Sequence, residues 1–199
     1  MYVSDTGELY FAGSSSVNNY VQLGTDDVLW QIISMNEENG TIKIVRGYDE
    51  SLKGSYDQDD NDWETSDVLS NLNTWYTDNL TDYNDIIVQN PTWDLVEMEG
   101  TNASSATVVG SYSGSPIGLI NIIEYTQSID GATWMQAKYQ WAMTTPIGNT
   151  SRAIRINGTK YLSSSVDSEN TVYRPVIYLN SSVIFDSGNG TDDTPFVIL

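Results

Sequence analysis

Residues 172–199 constrain the fold more than any other stretch. Tyr173-Arg174-Pro175-Val176-Ile177-Tyr178-Leu179 reads as a strand, Val183-Ile184-Phe185 as a second, and Gly188-Asn189-Gly190-Thr191-Asp192-Asp193 as a turn. Phe196-Val197-Ile198-Leu199 then closes the chain on apolar residues. So much β-branched and aromatic surface at one end requires an earlier segment to cover it.

That cover is legible between residues 20 and 46. Tyr20-Val21-Gln22-Leu23, Leu29-Trp30-Gln31-Ile32-Ile33-Ser34-Met35 and Thr41-Ile42-Lys43-Ile44-Val45-Arg46 are β-rich runs, the last two joined by Asn39-Gly40. Asn-Gly accepts positive φ at both positions, so the spacing predicts a three-stranded meander. Arg152-Ala153-Ile154-Arg155-Ile156 before Asn157-Gly158 predicts another hairpin, and Gln140 to Pro146 a single strand. Short strands are expected at 86–88 and 93–96, and residues 99–115, small and polar, read as a long surface loop.

Two helices are expected. Val68, Leu69, Leu72, Trp75, Tyr76 and Leu80 fall on one helical face after the potential cap Ser66, predicting a helix over 66–80. Asn121 and Glu124 have the spacing of a capping box opening a short helix to Ser128. The expected architecture is therefore α+β: one domain over 19–199, a twisted antiparallel sheet with two short helices and long loops. Residues 1–18 form an N-terminal edge strand or an arm reaching a neighbouring subunit.

Among 199 residues, 27 Asp plus Glu outnumber 8 Lys plus Arg, for a net charge of −19. Such a surface repels phosphate backbones and anionic lipid heads, so nucleic acid and the membrane surface are not expected partners, and no apolar run is long enough for direct membrane insertion. With no Cys and no His, disulfides, thiolate chemistry, the usual zinc sites and the commonest general base are all missing. No catalytic signature stands out, and the expectation is a protein that is not an enzyme. Residues 1–5 lack the basic and apolar regions of a signal peptide. The abundance of Ser, Thr, Asn, Gly and Tyr with few Lys nevertheless points to an exported, mature or trimmed form at the cell surface.

Asp57-Gln58-Asp59-Asp60-Asn61-Asp62 places oxygen ligands at alternate positions, the pattern a hard cation such as Ca²⁺ favours. Asp57, Asp59, Asn61 and Asp62 are candidate ligands, although the sixth-position Gly of an EF-hand loop is absent. Asp186, Asp192 and Asp193 are a second candidate set, against the alternative of a structural bend. Trp134, Tyr139 and Trp141 are candidate ligand-binding aromatics, since ring faces serve as platforms for sugars and proteins. Arg174 is a candidate carboxylate clamp or an internal ion-pair partner.

Several stretches taken together, in their order, resemble a large family of uncharacterised exported domains from low-GC Gram-positive gut bacteria and wall-less relatives. They are Leu29-Trp30-Gln31-Ile32-Ile33, Gly40-Thr41-Ile42-Lys43-Ile44, Ile117-Gly118-Leu119-Ile120 with Glu124-Tyr125, Trp141-Ala142-Met143-Thr144-Thr145-Pro146, Tyr173 to Leu179 and Gly188 to Phe196. The pattern also looks like the architecture shared by C-type lectin-like domains and formylglycine-generating enzymes, which implies terminal strands brought together. The chain departs from the second group, whose oxidation chemistry needs cysteines, and Gln140-Trp141 stands where the family usually pairs tryptophans. The resemblance implies an extracellular recognition or adhesion module meeting a glycan or protein on another cell. The alternative is a subunit of a pilus-like filament whose partners are copies of itself.

Overall fold

In the computed structural model the described residues are 2–3, 8–11, 18–24, 26–128 and 139–198. They form a mixed α+β fold, mostly strands in three sheets with two helices. The expected meander is present as Tyr20–Leu23, Trp30–Asn36 and Thr41–Arg46, and Gly40 turns the second hairpin with φ 61°. Val176–Asn180 pairs antiparallel to Thr41–Arg46, and Ile117–Gly118 adds to its far side. At the other edge Phe196–Ile198 lies parallel to Tyr20–Leu23 and pairs with Phe185–Ser187. The C-terminus thus closes the sheet it was expected to close, from both sides of the meander.

Glu8–Tyr10 also pairs with Trp30–Asn36, and Tyr2–Val3 pairs with Glu8–Tyr10. Residues 8–10 thus pair within the chain's own sheet.

Helix α1, Asp67–Asn79, begins where Ser66 accepts the Leu69 N–H at 3.2 Å, and Asp67 occupies its positive end. Its interior is rich in Asn and Thr, so packing rather than propensity holds it. Val68, Leu69, Leu72 and Tyr76 are buried, and the Trp75 ring lies 6.3 Å from Trp30. Helix α2, Ile122–Ser128, opens with the expected reciprocal box: the Glu124 N–H donates to Asn121 Oδ1 at 3.0 Å, and the Asn121 N–H to Glu124 Oε2 at 3.1 Å.

Five expectations are corrected. The sheet is not a single antiparallel one. A second sheet runs Lys160–Ser165, Arg152–Asn157, Gln140–Trp141, Thr171–Val172, Lys53–Gly54, and a third Thr144–Pro146, Trp93–Met98, Thr107–Tyr112. The single strand expected over 140–146 therefore divides, because Ala142 bonds the Ile154 carbonyl while Met143 bonds that of Ile120, carrying the chain between sheets. Residues 86–88 make only an isolated bridge, Ile87 to Leu179. Residues 99–115 are not a plain loop: Thr107–Tyr112 is a strand antiparallel to Trp93–Met98, its small polar composition reflecting exposure rather than irregular backbone. The strand expected at Val183 starts at Phe185, after a turn tied by Asn180 Oδ1 to the Ser182 N–H at 2.9 Å.

Ser66 also donates from Oγ to the Trp63 carbonyl at 2.9 Å, so one hydroxyl joins the preceding 3₁₀ turn to α1. Ser66→Ala should lower stability by about 1 kcal/mol in urea titration. An unchanged midpoint would show that packing alone sets the start of this helix.

Candidate functional site

The centre of the main sheet carries a polar row on an otherwise apolar surface. Tyr10 lies opposite Ser34, Ser34 opposite Lys43, and Lys43 opposite Tyr178, across four adjacent strands. Lys43 is 2% exposed. Its Nζ donates to Glu124 Oε1 on α2 and sits 5.3 Å from the Trp93 ring centroid and 4.5 Å from that of Tyr178. Burial alone pushes the ammonium down, but the Glu124 carboxylate and the Tyr178 hydroxyl outweigh it and the net shift is upward. Tyr178 is pushed up to about 12, first by burial. Tyr10 is raised too, by burial and then by the carboxylates of Glu124 and Glu8. The expectation for Glu124 as a helix cap is therefore correct for one oxygen; the other holds Lys43. The sequence signal for Lys43 was a lone cation between Ile42 and Ile44 in a strand covered on both faces.

The neighbouring face holds a second anchor. Arg46 donates from Nε and Nη2 to Asp26 at 2.9 and 3.0 Å and from Nη1 to Asp49 at 2.7 Å, with its guanidinium 5.2 Å from the Trp75 ring of α1. Asp26 also accepts the Val28 N–H and the Trp30 indole N–H. Burial raises the Asp26 pKa, but these donors and the Arg46 charge reverse it, and the carboxyl lies below its ordinary value.

Arg174 is 3% exposed and lies in the core. It donates from Nε to the Arg46 carbonyl at 2.9 Å, and reaches the side-chain oxygens of Gln140 and Gln31 at 3.4 Å. Burial pushes it down to about 10. Trp141 is buried as well, its Nε1 on the Gly54 carbonyl at 3.0 Å and its ring edge-on to Tyr56 at 5.6 Å. Tyr139 is partly exposed, has φ 45° and stacks near the Arg155 guanidinium at 4.6 Å. Trp134 lies outside the described residues.

The Asp57–Asp62 segment spends its side chains on its own backbone. Asp57 accepts the Gln58 and Asp59 N–H groups, Asp60 that of Asp62, and Asp62 that of Glu64, where it caps a 3₁₀ turn. Asn61 points elsewhere, donating to the carbonyls of Asn149 and Arg152 at 3.0 and 2.7 Å. In the C-terminal turn Asn189 and Thr194 make the bend, while Asp186, Asp192 and Asp193 stay exposed. Gly188 is required there: at φ 93° a Cβ would lie 1.8 Å from the Pro195 carbonyl oxygen. Among the described residues no three His, Cys, Asp or Glu side chains are grouped to hold a metal ion.

One exposed apolar strand was not expected. Thr107–Tyr112 contains no charged residue, all of it but Tyr112 is exposed, and Val108 and Val109 are 52% and 55% exposed. Its outer edge has no partner strand among the described residues. Beside it lies a cleft of about 250 Å³ between Val109, Leu95 and Thr145 on one side and Trp63, Asn61 and Asp62 on the other. The Trp63 indole nitrogen, buried at the cleft, has no hydrogen-bond partner among the described residues.

Against protein-family models, curated proteins and solved structures alike, the chain finds no match.

Because the folded Asp26 pKa is depressed, its stabilisation is complete above the ordinary carboxylate value of 3.8 and is lost as pH falls through the folded value. Stability of the wild-type chain should therefore drop on acidification below about pH 4, and Asp26→Asn should flatten that drop while lowering stability at neutral pH. Parallel pH profiles of the two proteins in urea titrations would contradict the assignment.

Proposed function

We propose that this chain is a non-enzymatic recognition and adhesion module of an extracellular cell surface, presenting the Thr107–Tyr112 strand and its adjoining cleft to a partner on another cell. The carrying observation is that strand: six residues without charge or proline, exposed on both faces, with a free edge. Folded proteins commonly blunt such edges with Lys, Pro or a covering loop, and a free one accepts an extended segment by adding a strand. Backbone hydrogen bonds then supply affinity, and the Asp62 and Glu97 carboxylates of the cleft supply selectivity. A protein partner is favoured over a glycan, since the aromatic rings of the cleft, Tyr56 and Trp63, are buried and offer no face for a sugar.

The finer architecture we propose is C-type lectin-like. Terminal strands from both ends of the chain sit in one sheet, with two helices and accessory sheets built from the middle of the sequence. Ca²⁺ at an Asp-rich loop belongs to the same reading, and binding assays are run with and without it. The second reading is a filament subunit. It is favoured by the same free edge, because a head-to-tail contact between copies on a non-closing surface builds filaments. Pairing of Glu8–Tyr10 within its own sheet speaks for the first.

Beads coated with the purified chain should adhere to a subset of a panel of bacterial and animal cells, less so after protease treatment of the cells. Val109→Lys should weaken adhesion at least tenfold with its melting temperature unchanged. Equal adhesion of the variant would remove the edge from the account, and filaments in electron micrographs that vanish with the same substitution would favour the second reading.

A further inference from the structure

The Lys43 ammonium and the Glu124 carboxylate are held in contact inside the core, and they become a nucleophile and an electrophile once a proton passes between them. Their side chains are 2% and 10% exposed, Nζ touches the Oε1 bonded to the carboxyl carbon, and the rings of Trp93 and Tyr178 cover the amine. The two residues are 81 apart in sequence, one on a central strand and the other on α2, so their contact is fixed by the whole fold. Such fixed neighbours react with effective concentrations far above those reached by free reactants. The chain has no cysteine, hence no disulfide to serve as a cross-link.

We propose that Lys43 and Glu124 condense to an intramolecular amide, covalently joining the Thr41–Arg46 strand to α2. The ammonium first passes one proton along its hydrogen bond to Oε1, giving a neutral amine and a neutral acid. The Nζ lone pair then attacks Cδ, and a second proton moves from Nζ to the departing Oε1. The C–Oε1 bond breaks and one water leaves; the Nζ–Cδ bond remains. Nothing is oxidised or reduced, and no co-reactant is needed.

Three features of the site favour the product. Two buried charges, each expensive to desolvate, become one neutral amide. Oε2 survives as the amide oxygen and keeps its place as acceptor for the Asn121 N–H that opens α2. The amine and the carboxyl are 2% and 10% exposed, so once the released water reaches solvent the reverse reaction lacks its reagent. The inference stands apart from the recognition reading, since it concerns the interior rather than the exposed hairpin.

The intact mass of the purified, denatured wild-type chain tests it. The expected mass is that of the sequence less one water, and trypsin should fail to cleave after Lys43, releasing a branched peptide that carries both Lys43 and Glu124. Lys43→Arg should restore the full sequence mass. Glu124→Gln should lose ammonia in place of water and arrive at the same final mass as the cross-linked wild type. A wild-type chain at full sequence mass, cleaved after Lys43, overturns the proposal, as does a water loss that maps elsewhere, such as an imide at Asp130-Gly131. Should Lys43→Arg not fold, the wild-type mass and digest alone decide.

Discussion

A lysine in the middle of a sheet is the constraint around which this fold is built. An ammonium with no water around it must find a carboxylate, and α2 is placed where its first-turn Glu124 can provide one. The same carboxylate caps the start of the helix by accepting the Asn121 N–H, so one side chain both opens α2 and fixes it to the sheet. Trp93, whose indole donates to the Ser115 carbonyl at 2.9 Å, closes the amine from above and brings the third sheet into register with the first. Arg46, three residues further along the strand, repeats the device on the other face, gathering Asp26, Asp49 and the Trp75 ring of α1.

The consequence for the surface is considerable. Among the described residues three basic side chains, Lys43, Arg46 and Arg174, are buried. A chain with net charge −19 has thus withdrawn much of its scarce positive charge into the core, leaving a surface still more acidic than the composition implies. Against that background the uncharged Thr107–Tyr112 strand is a distinct region, where an approaching chain meets backbone groups and valines without the repulsion or desolvation that carboxylates would impose.

Local physics was well recorded in the sequence. Asn39-Gly40 and Asn157-Gly158 set hairpin turns, Ser66 set a helix start, Asn121 with Glu124 set a capping box, and all four depend on residues within a few positions of one another. Tertiary decisions were less legible. The division of the segment 140–146 between two sheets depends on carbonyls of Ile154 and Ile120, which no local pattern specifies. The strand at 107–112 was hidden because exposed strands lack the alternation that betrays half-buried ones. Of the candidate site residues, the aromatic Trp141 and the cation Arg174 went to the core, and the acids of 57–62 to turn formation, since composition alone cannot separate a ligand from a cap.

The coupling of Lys43 to Glu124 is measured directly by a double-mutant cycle. Lys43→Met and Glu124→Leu, singly and together, are compared by urea unfolding. Each single change should cost at least about 3 to 5 kcal/mol, because it removes the Lys43–Glu124 link, ion pair or amide alike, and strands the other charge in the core, and the double change should cost clearly less than their sum. The cap lost with Glu124 appears in both arms and cancels. Additive losses would show that the two residues act independently, and the buried pair would no longer explain how the helix meets the sheet.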